Sequence, residues 1–166
     1  MRMELIQPFI NSADAVLAET LHCQTKIGDV SMDEDIYRRK GVAAIVVIHG
    51  DIEGRVIFDL APATAMKVAG ALAGGEIEES DAIVKETICE LANLVIGNAV
   101  TSLNDQGFRF KIAPPELHSA ETGMKSTEDT EALVMCFDTP SGSVFMNIAM
   151  RYNRRRRSER QAVVVE

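Results

Sequence analysis

The stretch "KETICELANLVIGNAV", Lys85 to Val100, repeats its apolar residues at helical rather than strand spacing. With Val84 at zero and about 100° per residue, Val84, Ile88, Leu91, Val95, Ala99 and Ser102 fall within about 80° of one another. They form the expected buried stripe. Glu86, Glu90, Asn93 and Gly97 fall at about 180° to 240°, nearly opposite it. Asn93 therefore faces outward, with two carboxylates one and two turns before it on the same ridge. Cys89, Ile96 and Val100 fall at about 120° to 160°, also off the stripe. A helix that sets Ile and Val beside Glu and Asn offers a mixed surface, read either as a docking face or as a face covered by the protein's own sheet. Gly97 costs roughly 1 kcal/mol against Ala in a helix interior, and it lowers the relief just past Asn93.

Working outward, the acidic "EIEESD" leads into this long helix, expected from Ser80 to Leu103. Before it, "APATAMKVAGALAGG" reads as a short helix, with Pro62 at its start and Gly74-Gly75 at its end. "LIQPFINSADAVLAETL" reads as the first helix, with Pro8 in its first turn. "CQTKIGDVSM" alternates as a strand. "VAAIVVIHG" is a near-continuous apolar run, expected as a strand buried on both faces. "GDIEG" turns it into the return strand "RVIFDL". Gly107 and Pro114-Pro115 mark loops, and "ELHSA" is a short strand. "ETGMKSTEDTE" reads as a loop, and "ALVMCFDTPSGSVFMNIAMRY" as a second hairpin turning at "TPSG". The two hairpins are read either as an old internal duplication with pseudo-twofold symmetry or as unrelated. Both readings give an α+β fold with helices packed on a largely antiparallel sheet. One domain is expected over 1–153, followed by a basic, disordered tail over 154–166 that contains Arg154 to Arg157.

Composition narrows the function. The 166 residues suffice for one domain with a sizeable core. Hydrophobic residues make up 46% and aromatics only 5%, so the core must be aliphatic and Met-rich. A formal net charge of −8 argues against nucleic acid as the partner, because phosphate binding needs clustered Lys and Arg. Cys23, Cys89 and Cys136 are odd in number and dispersed, which suggests neither a disulfide framework nor a zinc site. No apolar run reaches the roughly 18 residues of a membrane span. The opening "MRMELIQPFINSADA" lacks the apolar core of a secretion signal, so a cytoplasmic compartment is expected.

A Glu and an Asn three residues apart are neighbours on a helix surface. The carboxamide holds both a donor and an acceptor, so it can fix the orientation of a water molecule, but it is no base at neutral pH. A reaction needing only a positioned water must already have an activated electrophile. Phosphoryl transfer meets that condition, since its catalysis is mostly positioning and electrostatics. The spacing Glu-x-x-Asn alone is common.

The motif and its surroundings resemble the CheC/CheX/FliY family of phosphatases, most closely the CheX type. "KETICELANLVIGNAVTSL" is similar to that family's signature helix. "PFINSADAVL" is similar to its opening helix, "VVIHGDIEGRVIFDL" to its central hairpin, "MKVAGALAGGEIEE" to the helix and double-Gly exit, and "SGSVFMNIAM" to the final hairpin. The resemblance covers about residues 5 to 152. The family pattern is Asp or Ser, three residues, Glu, two residues, Asn, then a Pro some twenty residues on. Glu90 and Asn93 match its core pair, and Pro114 and Pro115 lie near the expected distance. Glu86 stands where the pattern has Asp or Ser. The first helix carries no second Glu-x-x-Asn, so one site is expected.

What the resemblance implies is removal of the phosphoryl group from the aspartyl phosphate of a CheY-like response regulator. Asn93 would orient the attacking water and Glu90 would pair with a regulator lysine. Glu86, Cys89, Ile96, Gly97 and Val100 would border the docking surface. No cofactor or metal of the chain's own is implied, because Mg²⁺ would come with the regulator. A homodimer through sheet strands is also implied. The rival reading is a non-catalytic binding module docking a regulator or a flagellar or receptor component. His22, His49 and His118 are scattered, and His49, closing an apolar strand, reads as a structural histidine. Asp51 and Glu53 read as solvated turn residues, Gly74-Gly75 as no phosphate loop, and Cys89 as no nucleophile.

Overall fold

The computed structural model describes residues 3–33, 36–37, 42–75, 78, 80–118, 124–125 and 132–153. The expected tail over 154–166 lies outside them. Helix α1 (Met3–Leu21) buries Leu5, Ile6, Phe9, Ile10, Ala13, Val16 and Leu17. It begins earlier than the sequence pattern suggests, so Pro8 lies inside the helix rather than in its first turn. Pro8 has no N–H to offer the carbonyl one turn back. The helix stops at His22, which takes φ 50, while the Cys23 N–H returns to the Ala18 carbonyl at 3.2 Å. A left-handed residue after the last turn is a common way to end a helix.

Strands β1 (Lys26–Asp33), β2 (Ile36–Tyr37), β3 (Val42–Gly50) and β4 (Ile52–Leu60) follow, then helices α2 (Pro62–Ala73) and α3 (Asp81–Asp105). Strands β5 (Phe110–Ile112), β6 (Glu116–His118), β7 (Met124–Lys125), β8 (Ala132–Thr139) and β9 (Gly142–Tyr152) complete the described chain. The main sheet has seven strands in the order β1-β8-β9-β4-β3-β5, and β6 also pairs with β3. Its ladders are antiparallel. The two hairpins that look alike in sequence meet along β4 and β9, with Val56 opposite Ile148. Strands β2 and β7 form a separate two-stranded ladder, and β7 falls inside the segment read from sequence as loop.

Strand β5 was not expected. It and β6 share the outer edge of β3, with Ile112 opposite Ile48 and Leu117 opposite Ala44. Between them Ala113 N–H still bonds to the Val47 carbonyl at 3.0 Å. Pro114 and Pro115 have no N–H and break the edge there, the one place in a sheet where proline is tolerated.

All three helices cover one face of the sheet. The main core joins Phe9, Val68, Ile88, Leu91 and Val95 of the helices to Val46, Phe58, Phe137, Met146 and Ile148 of the strands. Alternate residues point to the other face, where Ala43, Ile45 and Ile57 form a second buried cluster. Strand β3 is thus buried on both faces, as its unbroken apolar run requires. Arg55 and Asn147 are buried on that second face, and Arg55 Nη1 donates to Asn147 Oδ1 at 2.9 Å.

Candidate functional site

Helix α3 carries the candidate residues, and its ends and flanks fix where they point. Ser80 caps it: its Oγ accepts from the Ile83 N–H at 3.1 Å. The cap supplies a partner for one of the amides that a helix start leaves unpaired. Both α1 and α2 pack against α3, and so do strands β3 and β4. Ser12 of α1 donates its hydroxyl to the Val95 carbonyl at 2.6 Å inside that packing. This bond ties down the back of α3 two residues past Asn93.

Because neighbours press on α3 from several sides, its buried arc spans Val84, Thr87, Ile88, Leu91, Ala92, Val95, Ile96, Ala99 and Leu103. That is about half the circumference at 100° per residue, wider than the stripe drawn from the sequence. Two readings change as a result. Ile96 is only 4% exposed and belongs to the core, so it cannot touch a partner. Ser102, placed in the stripe, is exposed. Val100 is half-buried against the core, and Cys89 is half-buried. Burial pushes the Cys89 thiol above its ordinary value, which keeps it protonated and a poor nucleophile.

Glu86, Glu90, Asn93 and Gly97 are all exposed on one ridge, as the wheel requires. Among the described residues nothing holds the Asn93 carboxamide, so its donor and acceptor are both offered to solvent. A Cβ added to Gly97 would meet nothing within 4 Å. Its helix-weakening glycine is therefore not kept by packing inside the chain. Leu94, one turn past Glu90, is 38% exposed and is the apolar side chain flanking the pair. At 100° per residue it falls between ridge and stripe, where tertiary packing decides which way it turns.

The remaining residues sort by position. Glu53 pairs with Arg151 Nε at 2.8 Å. Asp51 is more than a solvated turn residue: its Oδ2 accepts from the Arg109 N–H at 2.7 Å. His49 is exposed at the rim of a cleft with Arg109 and Lys111, so it is not a buried structural histidine. Pro114 is exposed and Pro115 half-buried, at the break between β5 and β6. Among the described residues no three His, Cys, Asp or Glu side chains gather as a metal site, and no helix is long and apolar enough to cross a membrane.

Set against known proteins, the chain matches the family model described as "Chemotaxis phosphatase CheX" over residues 42–138, more than half its length. It is 28% identical over 120 residues to the CheY-P phosphatase CheX of Thermotoga maritima, covering 72% of this chain and 77% of that protein. It is 34% identical to a chain in the CheX–CheY–BeF3–Mg²⁺ complex from Borrelia burgdorferi, covering 90% of this chain and 99% of that one with a TM-score of 0.73. A CheC-like superfamily protein from Shewanella sp. PV-4 shares the fold, with a TM-score of 0.78 over 91% of this chain and 99% of that one, at 23% identity.

Proposed function

The chain belongs to the CheX family of chemotaxis phosphatases, and from that premise we propose that it hydrolyses the aspartyl phosphate of a CheY-like response regulator, using Asn93 and Glu90. The observation that carries the proposal is the pairing of an exposed, unheld Asn93 with Glu90 on a ridge that Gly97 leaves open. The Borrelia relative was crystallised with CheY, BeF3 and Mg²⁺, which supports a regulator as the partner. Mg²⁺ belongs to the phosphorylated regulator and arrives with the substrate.

An acyl phosphate needs no strong base, because its leaving group is a carboxylate and phosphoryl transfer is helped mainly by alignment and charge. The Asn93 carbonyl accepts one water hydrogen and aims the water's lone pair at phosphorus. The P–O bond to the aspartyl carboxyl breaks as the new one forms. The regulator recovers its carboxylate, the displaced proton passes to the phosphate oxygens, and inorganic phosphate leaves. Glu90 meets an ammonium of the regulator and sets the docking register, so that Asn93 enters in line. Gly97 lets regulator backbone approach, while Leu94, Val100 and Cys89 line the flank and Glu86 extends the acidic rim.

The two roles separate kinetically. Asn93→Ala should lower kcat on the order of 10²–10³-fold with little change in regulator affinity, as for loss of one oriented active-site hydrogen bond. Glu90→Gln should instead raise KM about tenfold, the loss of a charged hydrogen bond of about 1.5 kcal/mol. Phosphate release measured across regulator concentrations reads both. Equal kcat for wild type and Asn93→Ala would refute the assignment. We also propose a homodimer through a sheet edge, since the described sheet ends at β1 with one side unpaired. Sedimentation showing only monomer at tens of micromolar would remove it.

A further inference from the structure

At the C-terminal end of α3 an open cleft of about 560 Å³ is lined by His49, Gly50, Asn104, Arg109, Phe110 and Lys111. His49, Arg109 and Lys111, all exposed, border it on a chain of net charge −8. The cleft is built rather than incidental. His49 sits opposite Lys111, and Gly50 opposite Phe110, across the β3–β5 ladder. Gly50 has φ +147, and a Cβ there would strike the Phe110 backbone and lie 2.6 Å from the Arg109 carbonyl oxygen, so only glycine lets the two strands close here. Asp51 grips the Arg109 backbone from both sides: its N–H donates to the Arg109 carbonyl at 2.8 Å, and its carboxylate accepts the Arg109 N–H at 2.7 Å.

The cleft also continues the functional ridge. Asn104 follows Asn93 by eleven residues, three helical turns, and returns to within about 20° of it at a distance of roughly 16 Å along the axis. The ridge thus runs from carboxylates at Glu86 and Glu90, through the amide and the open step at Gly97, to Asn104 at the border of the cleft. A phosphoryl group at Asn93 cannot reach so far. A protein docked over a typical footprint of about 800 Å² on each partner covers both points.

Resting on the phosphatase reading above, we propose that this cleft receives a carboxylate-bearing segment of the docked regulator and forms a second contact that steers and registers it on α3. Carboxylates on the ridge and cations around the cleft beyond Asn104 penalise the reversed docking orientation, and a concave cationic surface raises the encounter rate with an acidic partner.

The test is the affinity of the full chain for a CheY-like regulator activated with beryllofluoride and Mg²⁺, for wild type, Arg109→Glu/Lys111→Glu and Arg109→Gln/Lys111→Gln. At about 50 mM salt the charge-reversed variant should bind about tenfold more weakly and the neutralised one about threefold, and the gap should narrow at about 500 mM, where the screening length is only a few ångströms. Association rates should fall by similar factors, with dissociation little changed. The neutralised variant guards against a fold defect, since neither side chain is buried. Wild-type affinity and salt slope in both variants would overturn the cleft contact. Asn93→Ala, measured beside them, isolates the other reading: retained affinity with lost turnover supports the phosphatase assignment whatever the cleft does.

Discussion

Gly97 is the residue where folding and function pull in opposite directions. In the middle of α3 it weakens the helix, and the space above it is empty. Gly97→Ala should therefore stabilise the folded chain by up to about 1 kcal/mol, read as a raised Tm. The same methyl stands where we place the regulator's backbone, so kcat/KM should fall about tenfold, a loss of roughly 1.4 kcal/mol of docking energy. A stabilised variant with wild-type kcat/KM would show that nothing approaches Gly97. Leu94 makes the complementary case: Leu94→Ala removes an apolar side chain already 38% exposed. It should cost less than about 1 kcal/mol in stability, while regulator affinity falls.

Helix α3 shows what can and cannot be read from a pattern. Its existence, its Ser80 start and its outward Glu90/Asn93 ridge follow from a period of 3.6 and one capping residue. The sector holding Ile96 does not follow, because a wheel drawn for one buried stripe ignores how many neighbours a helix has. Here α1, α2 and two strands pack on it, and the arc widens over Ile96. The Ser12 hydroxyl bonded to the Val95 carbonyl is equally invisible in sequence, since 83 residues separate the partners. Ser12→Ala should destabilise by about 1 kcal/mol, the net value of one buried hydrogen bond, as measured by denaturant midpoint. Strand β5 is illegible in the sequence for a related reason. "FKI" is too short to show alternation, and it is a strand only because β3 offers an open edge. With it the basic cleft is illegible too. Gly50→Ala tests that corner: a Cβ at positive φ pressed on the Arg109–Phe110 backbone should cost at least about 2 kcal/mol, seen as a lowered Tm.

At the scale of the molecule, the main sheet and the three described helices turn one face of α3 outward. The layer arrangement was legible because the period of the longer elements largely agrees with the burial they find, as for β3 with its two buried faces. The polar chemistry on the far side of the sheet was not: Arg55 and Asn147 meet through a bond across 92 residues. In the proposed reaction the chain presents an amide and a carboxylate, and the regulator brings the reactive phosphoryl group. The most direct test is the lifetime of a phosphorylated CheY-like regulator alone, with wild type, and with Asn93→Ala. The account predicts that wild type shortens the lifetime by a factor on the order of 10² or more and that Asn93→Ala restores it nearly to the unassisted value. Equal lifetimes with wild type and Asn93→Ala would contradict it, and an unchanged lifetime in the presence of a wild type that binds would make the helix a docking face only.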